Sequence, residues 1–370
     1  MLVKLKDLLT INNGSDYKHL SSGDIPVIGT GGIMLYVNEF LYDKEAILLP
    51  RKGSLNNVMF IDKPFWTVDT MFYAIPNQKR VNTKYLYYYL SLIDFTKLDV
   101  GSTIPSMTAS LYYSLTIDLP TLETQNKIAN ILTSLDSQIE RNEAMVKRLQ
   151  VLAQAIFSKW FIDFNIPNKN IDLIYNDELK RKVPKEWKIC KLTDCVRWES
   201  SSQPPKSSFS NEKSNGFIRF IQNRDYETDN HKTYIPIKKT TKICNRYDIM
   251  IDKYGDAGKI RCGLAGAYNV ALAKITPIIP YTQEYIRQYL SLHSNYLYLH
   301  NACMASTRAS LNENTLCGLT ILLPPSDILS NFEFILKSII NKQFFISDNS
   351  AKLRDLKDKL LPMLINGQLQ

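Results

Sequence analysis

Two stretches of twenty residues in this chain agree at eight positions, and no fold that ignores the repetition can accommodate it. GSTIPSMTASLYYSLTIDLP runs from Gly101 to Pro120, and ASTRASLNENTLCGLTILLP from Ala305 to Pro324. At an offset of 204, Ser102, Thr103, Ser106, Leu115, Thr116, Ile117, Leu119 and Pro120 recur as Ser306, Thr307, Ser310, Leu319, Thr320, Ile321, Leu323 and Pro324. Upstream, KLKD (Lys4 to Asp7) faces KLTD (Lys191 to Asp194), PRKGS (Pro50 to Ser54) faces DKYGD (Asp252 to Asp256), and Trp66 and Val68 face Tyr268 and Val270. The offset rises along the chain, so the second copy carries insertions. SSSQPPKSSFSNEKSNG (Ser200 to Gly216) has the composition of an exposed loop and is the obvious one. Two copies with so long a period make a tandem duplication rather than a solenoid.

Each copy ends on a long helical pattern. NKIANILTSLDSQIERNEAMVKRLQVLAQAI, from Asn126 to Ile156, contains no proline and no glycine. Thr121, after Pro120, can cap its start, and the pattern reaches about Trp160. Ile128, Leu132, Leu135, Ile139, Asn142, Val146, Leu149, Ala153 and Ile156 alternate spacings of four and three, which is a heptad seam. The second pattern, about Asp327 to Asn366, offers Phe332, Leu336, Ile339, Ile346, Leu353, Leu360 and Leu364, with Gln343, Ser350 and Lys357 at seam-equivalent sites. Pro362 should kink or end it, and Gly367 suits the position just past a helix end. Two unequal helices in one chain are expected to pair with each other, antiparallel. The expected fold class is therefore two copies of an α/β (α+β) globular unit, related by a pseudo-twofold internal repeat and separated by two long helices forming an antiparallel coiled coil. Short β-rich runs (EAILLP, DIMIDK) and tyrosine-rich helical runs (KYLYYYLSLI, EYIRQYLSLH) fill the units. Tyr85, Tyr87, Tyr88 and Tyr89 are expected in the core and on the helix surface.

Lys and Arg number 45 against 36 Asp and Glu, a net charge of +9. Such an excess favours a polyanionic partner, because each neutralised phosphate releases condensed counterions. No run of eighteen apolar residues and no signal-peptide pattern occurs, so a soluble, cytoplasmic chain without a membrane partner is expected. Chemistry of the chain's own is hard to find. Gly29 to Gly32 (GTGG) is too short for a dinucleotide fingerprint, and Gly255 to Lys259 (GDAGK) lacks the spacing and the Ser or Thr of a P-loop. All six cysteines, Cys190, Cys195, Cys244, Cys262, Cys303 and Cys317, fall in the second half without a C-x-x-C pair, and only His300 and Cys303 have plausible ligand spacing. No metal, cofactor or catalytic residue is assigned. DNA contacts are assigned to loop-like segments beside glycines: Thr30, Gly31, Gly32, Arg51, Lys52, Ser102 and Thr103 in the first copy, and Gln222, Asn223, Arg224, Lys253, Tyr254, Ser306, Thr307 and Arg308 in the second. Arg and Asn or Gln can pair bidentately with guanine and adenine.

LPTLETQNKIANILTSLDSQI (Leu119 to Ile139), LQVLAQAIFSKWFIDF (Leu149 to Phe164), VPKEWK (Val183 to Lys188) and LLPMLINGQL (Leu360 to Leu369) together resemble the specificity subunits of type I restriction-modification systems, in the family's order over the whole chain. Pro120, Leu122 and Gln125 form the most specific fragment; the second copy departs from it, with Ser326 and Leu329 where Leu122 and Gln125 stood. The resemblance implies target-recognition domains at 1–120 and 187–325, a central conserved helix at 121–164, a linker at 165–186 and a C-terminal conserved helix at 326–370. It implies a subunit without catalysis, each domain reading half of a split double-stranded DNA site while the helices set the gap and dock two methyltransferase subunits. Motor-nuclease subunits would join, and S-adenosylmethionine, ATP and Mg would belong to those partners. A stand-alone repressor-like DNA-binding protein, a coiled-coil scaffold and an enzyme with a Cys/His metal site remain open on the sequence.

Overall fold

The computed structural model describes residues 1–99, 104–228, 231–304 and 310–368. The chain divides into two compact units, Met1–Glu143 with Asp348–Gln370, and Ala144–Ser347, so each long helix contributes to both.

In the first unit the strands are β1 (Leu2–Lys4), β2 (Leu9–Asn13), β3 (Ser22–Gly29), β4 (Gly32–Val37), β5 (Ala46–Pro50), β6 (Met59–Ile61), β7 (Trp66–Thr67), β8 (Met71–Pro76) and β9 (Thr116–Asp118). They form a four-stranded sheet in the order β2-β8-β5-β6, a three-stranded sheet β4-β3-β7 and the pair β1-β9. β5 is apolar throughout because both its faces are covered, alternate side chains entering different cores. Ile47 and Leu49 pack with Leu5, Leu8, Phe72 and Tyr85, whereas Ala46 and Leu48 pack with Phe65 and Met71. Helix α1 (Thr83–Ser91), capped by Asn82 on the Tyr85 amide at 3.0 Å, buries Tyr85 and Tyr88 on that core. Helix α2 (Ala109–Ser114) adds Tyr112, whose buried hydroxyl donates to the Pro50 carbonyl at 2.7 Å.

Helix α3 (Leu122–Phe157) starts where Thr121 caps it, the Thr124 amide donating to Thr121 Oγ1 at 3.3 Å. Its π-helical continuation, Ser158–Ile162, carries it slightly beyond Trp160 and turns Phe157, Trp160 and Phe161 together into the second core.

The second unit's strands are β10 (Leu173–Asn176), β11 (Arg181–Pro184), β12 (Lys188–Lys191), β13 (Val196–Ser200), β14 (Phe217–Ile221), β15 (Thr233–Pro236), β16 (Ile243–Cys244), β17 (Ile249–Asp252), β18 (Ile260–Arg261), β19 (Gly266–Tyr268), β20 (Leu272–Pro277) and β21 (Thr320–Leu323). Sheet β13-β20-β17-β18 repeats the first unit's four-stranded order, and β12-β21 repeats β1-β9. Helices α4 (Gln283–Leu290) and α5 (His293–Met304) complete the globular part, and α6 (Ser326–Ile365) is the last element.

Strand register matches the copies residue by residue. Lys4 pairs with Thr116 as Lys191 pairs with Thr320, and Pro50 pairs with Met71 as Asp252 pairs with Leu272. One expected match is corrected. Val27 and Ile28 run parallel to Trp66 and Thr67, as Phe220 and Ile221 do to Ala267 and Tyr268. Trp66 therefore corresponds to Ala267 and Val68 to Asn269; pairing with Tyr268 and Val270 would slip the strand by one and turn its side chains to the wrong face. The segment expected as a linker carries the β10–β11 hairpin, with Ile166 and Val183 buried, because its apolar residues find cover in the second core.

Both units contain α3 against α6, and in each the helices run antiparallel. In the first unit Ile128 and Leu132 share a core with Leu364, Asp136 accepts from Lys357 at 2.6 Å, and Glu143 pairs with Arg354. In the second, Ala153 and Phe157 meet Phe332 and Leu336. On α3, Ile128, Leu132, Ile139 and Asn142 are buried, while Leu135, Val146, Leu149 and Ile156 are half-buried. On α6, Leu336 and Ile346 are buried, Ile339, Leu353 and Leu360 half-buried, and the polar seam residues Gln343 and Ser350 are buried with them. Asn142 accepts from Gln138 at 3.0 Å, but its buried Nδ2 meets no acceptor among the described residues. Pro362 does not stop α6 at once: the helix ends at Ile365, where Gly367 (φ 68°) lets its own amide reach Leu364 and the Gln368 amide reach Met363.

Candidate nucleic-acid interface

In the first unit the turns after β3 and β5, the Asp69–Thr70 turn between β7 and β8, and one further segment converge. β3 and β4 are joined through Thr30 and Gly31, with Gly29 and Gly32 as the closing pair and Gly32 at a φ of 107°. The turn after β5 carries Arg51, Lys52 and Gly53; the Arg51 and Lys52 amides donate to the Thr70 carbonyl. The Arg51 guanidinium donates to the Asp69 carbonyl at 3.3 Å. Asn57 Nδ2 donates to the Thr30 carbonyl at 2.6 Å, tying the first turn to the second. The segment entering α2 is stitched on as well, by Gly53 N–H to Pro105 O and Met107 N–H to Arg51 O, both at 2.9 Å. Thr30, Gly31, Met34, Lys18, Asp69 and Thr70 line a cleft of about 770 Å³ at this rim. Lys52 is exposed and Arg51 half-buried. Ser102 and Thr103 lie outside the described residues.

The second unit builds the same rim from different residues. Register places Asn223 where Thr30 stands and Arg224 where Gly31 stands. A 3-10 turn, Asn223–Tyr226, replaces the tight hairpin, and its Gln222 amide donates to the buried Asp225 at 2.9 Å. Arg224 projects, its side chain 60% exposed. Lys253 departs from the expectation of a solvated cation. It is 9% exposed, with Nζ 5.8 Å from the Tyr254 ring centre, and only Tyr254 stands clear in solvent. Its amide donates to Ala271 O and its carbonyl accepts from Leu311, so its place is set by the backbone as Arg51's is. Ser306, Thr307 and Arg308 lie outside the described residues.

Charge is organised behind this second rim. Asp252 is 1% exposed and receives Arg261 at 3.1 and 2.9 Å, while Arg261 also reaches Glu227 at 2.7 Å. Burial pushes the Asp252 carboxyl up to about 6, against the pull of Arg261. Hydrogen bonds from Arg261 and Lys259 hold Glu227 below the usual carboxylate range. These groups brace the loop ending in Gly258 (φ 93°) and pair with one another, although the buried Asp252 Oδ1 meets no donor among the described residues; Arg224 and Tyr254 are the outward-facing groups of this rim.

The residues that sequence reasoning missed are those that hold the turns: Asn57, Asp69 and Gly53 (φ 91°), and Met34 beside them. A glycine after Arg-Lys, facing another in the repeat at Gly255, was the available signal. Gln125, by contrast, gains a physical role. Buried at 1%, it accepts from the Asn82 amide and donates to the Pro120 carbonyl, both at 2.9 Å, and so pins α1 to the start of α3. Leu329 cannot do this in the second copy; there Glu333, one turn on, accepts from the Glu284 amide at 2.9 Å.

Among the described residues no helix is long and apolar enough to cross a membrane. The chain is 26% identical to the type I restriction enzyme MjaIX specificity subunit of Methanocaldococcus jannaschii over 410 aligned residues, covering 99% of this chain and 93% of that one. It is 23% identical to the HindI specificity subunit of Haemophilus influenzae, covering 84% and 83% respectively. The crystal structure of an S subunit from M. genitalium superposes with a TM-score of 0.63 at 14% identity, over 98% of this chain and 95% of that one, and so shares the fold. The profile of the type I restriction modification DNA specificity domain matches residues 1–150 and 184–349, once over each copy, and the chain belongs to that family.

Proposed function

We propose that this chain is the specificity subunit of a type I restriction-modification enzyme, each unit reading one half of a split double-stranded DNA site. The observation that carries the reading is the duplicated rim: equivalent backbone bonds hold Arg51 after β5 and Lys253 after β17, while the residues on the turns differ, Thr30, Gly31 and Lys52 in the first unit against Asn223, Arg224 and Tyr254 in the second. Conserved scaffolding with exchanged contact residues suits two readers of unlike sequences. The paired α3 and α6 fix the number of base pairs in the gap and dock two methyltransferase subunits. Motor-nuclease subunits join the same assembly in the cytoplasm. S-adenosylmethionine, ATP and Mg act in those partners, and this chain supplies no reacting group.

The test is a genome-wide map of methylated adenine with and without the gene. The proposal expects one split, asymmetric motif that disappears on deletion; an unchanged methylation pattern defeats it.

A further inference from the structure

The β3–β4 ribbon of the first unit carries a feature that phosphate binding does not use. Ile33, Met34 and Tyr36 are 59%, 54% and 52% exposed, three large apolar side chains within four residues of one strand. The register shifts here, Ile28 pairing with Ile33 and Val27 with Leu35, so Met34 is the extra residue of a bulge, and both it and Ile33 stand in solvent at the ribbon end. β4 is an edge strand, and β7 extends only from Trp66 to Thr67, opposite Val27 and Ile28, so that sheet does not cover the tip. Single exposed apolar residues are ordinary, but a cluster beside a glycine turn marks a binding surface. Lys18 lines the cleft with Met34, together with Asp16 and Asp69, and Arg51 donates to the Asp69 carbonyl behind it. A duplex major groove, about 12 Å wide, admits a two-stranded ribbon, and the one apolar group it offers is the thymine 5-methyl.

We infer that the tip of this ribbon reads thymine methyl groups through Ile33 and Met34 in the half-site bound by the first unit. Among the described residues the second unit places no such apolar pair ahead of the equivalent strand. There the strand equivalent to β4 is β15, whose Thr233 stands opposite Phe220 as Leu35 stands opposite Val27, so the residues just ahead of it are His231 and Lys232, both polar. Methyl dependence is therefore confined to one half of the target. This rests on the DNA-reading function proposed above.

The experiment uses the full chain assembled with its methyltransferase subunits and duplexes carrying the mapped target, each thymine replaced in turn by deoxyuridine. Removing a contacted methyl weakens binding about four-fold. The Ile33→Ala, Met34→Ala double variant binds thymine and deoxyuridine duplexes alike at that position and keeps its preference for the base sequence of the other half-site. Insensitivity of every thymine, a half-site without thymine, or equal sensitivity of wild type and variant overturns the inference and leaves the function standing. Failure to prefer any split target defeats the function itself.

Discussion

Replacing Phe332 by alanine separates a helix packed through its seam from a helix merely resting on the surface. Phe332 has no exposed surface, and its ring lies 4.7, 5.8 and 6.1 Å from the centres of Phe161, Trp160 and Phe157. Two residues on, Phe334 is 78% exposed. A buried Phe→Ala change loses transfer free energy and leaves a cavity, about 3–5 kcal/mol together. The aromatic cluster around it belongs to a rigid π-helical corner that has little freedom to collapse, which favours the upper half of that range. In a unit of roughly 200 residues each kcal/mol lowers the midpoint by about 2–4 °C, so Phe332→Ala should lower the second unit's unfolding temperature by about 10 °C or more. Phe334→Ala, changing a side chain in water, should stay within about 0.5 kcal/mol. Calorimetry and urea unfolding of the full chain measure both. A loss below about 1 kcal/mol for Phe332→Ala, or a larger loss for Phe334→Ala, would refute the assigned face of α6.

Gln125→Leu, which writes the second copy's residue into the first, should cost about 1–3 kcal/mol by stranding the Asn82 amide and the Pro120 carbonyl; urea unfolding reports it. Asp136 also accepts from the Tyr88 hydroxyl at 2.6 Å, so a double-mutant cycle of Asp136→Ala with Lys357→Met should show a coupling above about 0.5 kcal/mol, whereas independent surface charges would add. Glu284 is buried beside Arg287 and Glu333, and burial raises its carboxyl to about 7. A raised acid binds its proton more tightly when folded, so its contribution falls as pH rises from the unfolded value near 4.5 through 7. Stability measured at pH 5 and pH 7.5 should therefore fall less in Glu284→Gln than in the wild type. An equal fall in both would count against it.

The sequence made the repeat, the seam and the caps visible because each rests on local rules. Thr121, Asn142 and Gly367 follow from helix chemistry alone. What stayed hidden depends on partners distant in the chain. The one-residue correction at Trp66 comes from a parallel pairing two residues long. Lys253 reads as a loop cation beside Tyr254-Gly255, yet the backbone bonds to Ala271 and Leu311 draw it inward. The buried Glu284–Arg287 pair, met by Glu333 from α6, has no local signature either, since each residue alone suits an exposed helix face. For the rims, sequence spacing marked the turns but not the bonds from Asn57 and Met107 that hold them together.

In the proposed function α3 and α6 meter the distance between two DNA half-sequences. Deleting one heptad from each helix, 135–141 with the facing 351–357, keeps the seam in phase and shortens both by about 10 Å. At about 3.4 Å per base pair, a methylated-adenine map of cells carrying this variant should show the same two half-sequences with the gap reduced by about three base pairs. Full methylation at the original spacing would contradict it.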